Sequence, residues 1–446
     1  QKYLLLAIPM ILQNAITNLV SFLDNIMVGQ LGTEQMSGVA IVNQLIFVYN
    51  LAIFGAVSAA SIFGAQYFGK GNHKGHMYSF RFKLYATLLV TGGAILLFLT
   101  KGSALISLYL TDTVGNGATD LALQYGLEYL AIMMVGLIPF AVNQSYATNI
   151  KETGQTFIPM LASFVAVGTN AILDYLMIFG IGPFPELGVQ GAALATVIAR
   201  YIEALIVVIW AHIHRGKNRY LEGAYTGFGI PLAELKAILI KGFPLMMNEV
   251  LWAAGMTTVT QCYSVRGLDV VAGLNIASTI TNLFNIVYLQ LGSCISIVVG
   301  QYLGAGKLED AKDADNKMIV FSVFCCVIMA ALMFVVGGFF PGIYNTTEEI
   351  RELATSFIAV SAIIMPFCAF SHASYFTLRS GGKTVVTFLF DSVFTWVIVV
   401  PAAYLLAHFT GLGIVSIYFL VQGTELIKVI IGYLMVKSNV WVVQMV

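Results

Sequence analysis

Charge is what this chain has least of. Asp, Glu, Lys and Arg together make up 10% of its 446 residues, against about 25% in ordinary soluble domains. Its 22 basic and 22 acidic residues cancel, so there is no positive excess to hold a nucleic acid. Cysteine is equally sparse. Cys262, Cys294, Cys325, Cys326 and Cys368 all fall in apolar runs of the second half, where thiols behave as small hydrophobes. Their spacing offers neither a disulfide framework nor a zinc site. The six histidines are scattered, no His-Glu-x-x-His or Gly-x-Ser-x-Gly occurs, and Gly64 to Lys70 follows phosphate-loop spacing only until Gly71 takes the place of the required hydroxyl residue. An enzyme is left without a recognisable catalytic motif. What the chain does have is apolar surface, 59% hydrophobic residues, which defines an all-α polytopic membrane protein.

Twelve spans of membrane-crossing length are expected, at about 3–29, 38–68, 84–100, 119–147, 156–180, 188–213, 236–264, 270–303, 317–341, 350–378, 384–408 and 411–437. The first is too long for a signal peptide and reads as a retained helix. Basic residues alternate between the two sides. Lys2, Lys70, Lys74, Arg81, Lys83, Lys151, Arg215, Lys217, Arg219, Lys236, Lys241, Lys307, Lys312, Lys317, Arg379, Lys383 and Lys437 lie on one side, and only Lys101, Arg266 and Arg351 on the other. The richer side, which carries both termini, is expected to be cytoplasmic. Residues 214–235, with Gly216, Gly223, Gly227, Gly229 and Pro231, form the expected linker between an N-lobe at 1–213 and a C-lobe at 236–446.

The two halves repeat each other. At an offset of 235 residues Pro9 meets Pro244, Gly32 meets Gly267, Gly38 meets Gly273, Asn50 meets Asn285, and Gln66 to Gly71 meets Gln301 to Gly306. Further on the offset becomes 228, so that Pro139 meets Pro366 and the loop 152–156 meets 380–384. Six spans per half make both copies enter from one side. The expected architecture is two six-helix lobes related by a pseudo-twofold along the membrane normal, with sites near the midplane.

The fifth span carries the sharpest chemical signal. Asn170 and Asp174 sit one helical turn apart on a common face. A carboxylate within a membrane span costs a few kcal/mol (~2.5–3.5 at the centre of an inserted helix) and marks an ion, proton or substrate site facing the protein interior. The alternative is a helix–helix hydrogen bond. The amide oxygen beside the acid favours a site for a small hard cation.

Several stretches resemble the multidrug and toxic compound extrusion (MATE) family. They are the Pro9 helix ending in Asp24-Asn25 and Val28-Gly29-Gln30-Leu31-Gly32, the segment Gly300 to Gly306, and Leu378-Arg379-Ser380-Gly381-Gly382. The resemblance covers essentially the whole chain through the order, spacing and duplication of these motifs. It implies a V-shaped pair of six-helix lobes exporting cationic amphipathic compounds in exchange for protons or sodium ions. The cation ligands it implies are Asp24, Asn170, Asp174 and Thr196, and Pro9 is implied as the residue that bends the first helix. Two carboxylates, an amide oxygen and a hydroxyl make an all-oxygen set that could hold sodium. Two like charges in a low dielectric do not both stay ionised, so the same set could equally carry a proton.

Glu249 and Asp391, the acids of the second half, correspond by the repeat offsets to Asn14 and Ser163. Each lies about 15 Å nearer the cytoplasm than its N-half counterpart site, at about 1.5 Å per residue. They are expected to form a second acidic site for cationic substrate, with Asp391 pointing into its lobe and Glu249 toward the lobe's edge or the central cleft. Arg200 with Glu203 and Lys428 with Glu425 read as self-neutralising i,i+3 pairs. A major-facilitator transporter would need a Gly-x-x-x-Asp-Arg type loop between Gly69 and Lys83, which is missing. A lipid-linked oligosaccharide flippase of the same superfamily would need more basic residues within the spans. The expectation is therefore a secondary active antiporter of the cell membrane, without cofactor apart from its coupling ion. Its partners are expected to be the lipid bilayer and small cationic organic compounds, with no nucleic acid, and the protein is expected to be a monomer.

Overall fold

In the computed structural model of the protein the residues described are 2–110, 116–227 and 229–446. The side chain of Asn25, part of the first-helix motif, lies outside the described residues. The helices in chain order are α1 (Lys2–Gly29), α2 (Thr33–Lys70), α3 (His73–Ser107), α4 in two segments (Asn116–Val135 and Leu137–Glu152), α5 (Phe157–Ile178) and α6 (Gly188–Ile213). They continue with α7 (Leu232–Ser264), α8 (Leu268–Gly304), α9 (Leu308–Gly337), α10 (Glu348–Ser380), α11 (Thr384–Phe409) and α12 (Ile414–Lys437). Among the described residues, ten of these are long and apolar enough to cross a membrane on their own, the two segments of α4 make an eleventh as one bent span, and α1 is apolar over Tyr3–Asn18.

The chain forms two compact units. One contains Ile8–Gly64 and His73–Leu235, the other Gln1–Ala7, Ala65–Asn72 and Lys236–Val446. In the first, residues of α2, α4 and α6 such as Val42, Ile46, Leu130, Leu137 and Ala193 make a shared apolar core. Lipid tails are as apolar as these side chains, so close van der Waals packing is what holds them together. In the second, α8 runs along α10 and buries Cys294, Ile295, Phe357 and Ile358 completely. Leu89 and Leu97 of α3 are exposed, as side chains facing lipid tails should be.

Several helices differ from the spans read in the sequence; α2 and α9 start earlier, at Thr33 and Leu308, and α3, α4 and α11 differ in ways that matter more. α3 begins at His73 rather than 84, because its polar first turns are buried and paired instead of solvated. The Lys83 ammonium donates to Glu152 at 2.5 Å and to the Asn149 side chain, and His76 Nε2 stands 3.2 Å from the second Glu152 oxygen. α4 bends by 44° at Gly136, where Pro139 withholds one of the amide hydrogens that would carry the helix through. α11 widens into π-helical turns over Leu389–Val393 and Thr395–Val399. The glycine-rich segment after α6 is docked within the first unit. The Arg81 guanidinium donates to the carbonyls of Ala224, Gly229 and Gly223 at 2.9, 2.7 and 2.6 Å, and Tyr220 is fully buried.

The repeat extends to backbone conformation. Gly71 and Gly306, related by the 235-residue offset, end α2 and α8 with φ of 74° and 73°, a left-handed conformation that favours glycine.

Candidate functional site

α5 and α6 build the floor of the site by close approach. A Cβ on Gly191 would stand 2.6 Å from the Met177 carbonyl oxygen, so only glycine lets α6 lie against α5 there. Thr196, further along α6, then faces Asn170, whose amide donates to the Thr196 hydroxyl at 3.4 Å. Asp174 is one turn further along α5 and is 1% exposed, with the Asn170 amide beside it. From α1, Asp24 reaches the same place. The carboxyl groups of Asp24 and Asp174 lie within each other's electrostatic reach, and two like charges in a low dielectric are held cheaply only with a proton or a cation between them. Among the described residues no donor approaches Oδ1 or Oδ2 of Asp174, or Oδ1 of Asp24, in good hydrogen-bonding geometry. Buried carboxylate oxygens without donors are costly, and a proton or a cation relieves that cost.

Both aspartates and Thr196 open onto a cavity of about 320 Å³ within the first unit. Its other polar lining comes from Asn43, Asn50, Tyr129 and Arg200. The Tyr129 hydroxyl donates to Asn43 at 3.3 Å, and Asn50 Oδ1 has no donor among the described residues. The structure thus brings Asp24, Asn170, Asp174 and Thr196 together, while Pro9 lies inside an uninterrupted α1. Sequence reasoning did not include Asn43, Asn50, Tyr129 or Arg200 in this site. Arg200 had a legible signal, since it lies four residues after Thr196 and so on the same face of α6.

In the second unit Asp391 points inward. Its Oδ1 accepts from Lys428 at 2.6 Å and its Oδ2 from the Asn248 amide at 3.0 Å. Glu249, the neighbour of Asn248, is half-buried, with Arg379 and Asp391 as its charged neighbours. The expected i,i+3 pairs do not form. Lys428 turns to Asp391 and leaves Glu425 Oε1 buried without a donor among the described residues. Arg200 makes no ion pair with Glu203, which instead accepts from the Ser163 hydroxyl at 2.5 Å. In both cases an acid or carbonyl on a neighbouring helix lies better in line than the residue three positions away.

A bundle of membrane-crossing helices that encloses a polar cavity with an acid pair defines a membrane transporter. The chain belongs to the multidrug and toxic compound extrusion family, whose MatE model matches residues 9–176 and 244–405. Similar proteins include the probable multidrug resistance protein NorM of Thermotoga maritima, 23% identical over 92% of this chain and 86% of that one. The protein of the same name from Halalkalibacterium halodurans is 24% identical over 92% and 88%. Among solved structures, a multidrug resistance MATE family transporter of the MOP superfamily in an outward-facing conformation superposes with a TM-score of 0.88. It is 20% identical and covers 98% of this chain and 95% of that one.

Proposed function

We propose that this chain is a secondary active antiporter of the cell membrane, with both termini cytoplasmic, that exports cationic amphipathic drugs or toxic compounds in exchange for protons or sodium ions. What supports the reading most is the electrostatically linked pair of Asp24 and Asp174 on one cavity, with no donor among the described residues to either Asp174 oxygen or to Asp24 Oδ1. Such a pair takes up a proton or a small cation from one side and holds an organic cation when empty, so occupancy by one excludes the other. Asn170 and Thr196 add the neutral oxygens a sodium ion needs. Glu249 supplies a second acid for substrate at a different depth. The names of the similar proteins agree with drug export. The test is efflux of ethidium from proteoliposomes, with proton and sodium gradients imposed separately at fixed membrane potential. Efflux driven by neither gradient removes the antiport reading.

A further inference from the structure

Of the 22 basic residues, Arg200 and Lys428 are the ones placed well inside the apolar spans, and they occupy the same place in the repeat. At the offsets already described, the set Asn248, Asp391 and Lys428 corresponds to Gln13, Ser163 and Arg200. The contacts repeat as well: Asn248 donates to Asp391 at 3.0 Å, and Gln13 donates to Ser163 at 2.7 Å. The third member differs. Lys428 is held by Asp391 at 2.6 Å, but in the first half a serine stands where that acid would be, and it gives its hydrogen to Glu203. Arg200 has lost its carboxylate.

Arg200 lines the cavity instead. Its guanidinium donates to the Gly136 carbonyl at the α4 bend, at 3.4 Å, and lies over the face of Phe140, 5.0 Å from the ring centroid. Among the described residues it forms no ion pair. Glu203, Tyr49 and Tyr129 lie within its electrostatic range. Tyr129 lines the same cavity and is within electrostatic range of Arg200 and of both Asp24 and Asp174. Arg200 thus forms no salt bridge with Asp24 or Asp174 among the described residues. A guanidinium has five donors in a fork shaped for a carboxylate, and a charge at this depth is costly unless an anion meets it.

We propose that Arg200 and the Asp24–Asp174 pair are opposite poles of one binding cavity, and that its substrate is an amphipathic zwitterion whose cationic group faces the aspartates and whose carboxylate faces Arg200. The cavity is at the lower end of ligand-pocket sizes, roughly 300–1,000 Å³, so both poles touch the same small molecule. This rests on the drug-export reading and names the class of compound exported.

The test uses a matched pair of dyes, rhodamine 110, a zwitterion with a free carboxylate, and rhodamine 123, its cationic methyl ester. Binding is measured by fluorescence polarisation on the full chain in nanodiscs, and export in proteoliposomes. The wild-type protein should bind the acid about tenfold more tightly than the ester, one good charge-assisted contact. Arg200→Met should bring that ratio to about one, and Arg200→Lys should restore part of it, because an ammonium supplies the charge without the fork. Thermal unfolding of each variant separates loss of binding from loss of fold. Equal wild-type affinity for the two dyes, or an unchanged ratio in folded Arg200→Met, overturns the proposal. Arg200-dependent preference for the acid without export of either dye would sink the drug-export reading and leave the two-pole cavity standing.

Discussion

Gly304 lies so close to Gln66 that a Cβ on it would stand 1.9 Å from the Gln66 carbonyl oxygen, and the repeat-related Gly69 stands in the same relation to Gln301, also at 1.9 Å. The ends of α2 and α8 cross here backbone to backbone, inside one unit. The Gln66 side chain anchors the place, donating to the Ser380 carbonyl at 2.9 Å and accepting from the Met445 amide at 2.8 Å.

Because the atom in the way is backbone, it cannot rotate aside. Gly304→Ala should cost about 1–3 kcal/mol, as overpacking does. That corresponds to an unfolding temperature lowered by several degrees, readable by size-exclusion chromatography after heating. An unchanged melting temperature would mean the helices are not in this contact.

Asp24→Asn and Asp174→Asn keep size and hydrogen-bonding capacity but remove the charge. Each should reduce coupled export by on the order of tenfold or more, with normal folding. In the wild-type protein, protons compete with an organic cation for the pair, so affinity for tetraphenylphosphonium should rise with pH. In the double variant that dependence should flatten. Undiminished coupled efflux by either single variant would place coupling elsewhere.

Lys83, Glu152 and His76 are all nearly inaccessible. Removing one partner of a buried ion pair typically costs about 3–5 kcal/mol, whereas replacing both with apolar groups of similar volume is far milder. Lys83→Met should therefore destabilise strongly, and adding Glu152→Met should recover much of the loss. A double variant less stable than the single would show that Glu152 has another partner of equal weight.

Asp391 is already engaged by Lys428 and Asn248, so Asp391→Asn should appear in the unfolding temperature. Lys428→Met should be worse, since it leaves a buried carboxylate unpaired. Glu249→Gln should instead weaken tetraphenylphosphonium binding, several-fold by the scale of one partly buried charge, about 1 kcal/mol. Identical losses of affinity in Asp391→Asn and Glu249→Gln, at unchanged stability, would mean the two acids act together on the substrate.

The membrane class, the helices and the internal repeat were legible in the amino-acid order because they depend on local quantities: run length, charge density and recurring glycines. Asn170 and Asp174 were legible for the same reason, since four residues along a helix is a fixed geometry. The start of α3 was misplaced because His73–Lys83 is polar in sequence, and only the fold supplies the Glu152 and Asn149 that neutralise Lys83.

What only the tertiary structure decided is the partner of each charge. Spacing alone matched Arg200 with Glu203 and Lys428 with Glu425. In the folded chain Lys428 crosses to Asp391, 37 residues earlier, and Arg200 faces a cavity assembled from α1, α2, α4, α5 and α6. Ion pairing in a low dielectric is settled by which oxygen stands a few ångströms away across a helix interface. That distance is a property of packing, and no short window of sequence contains it.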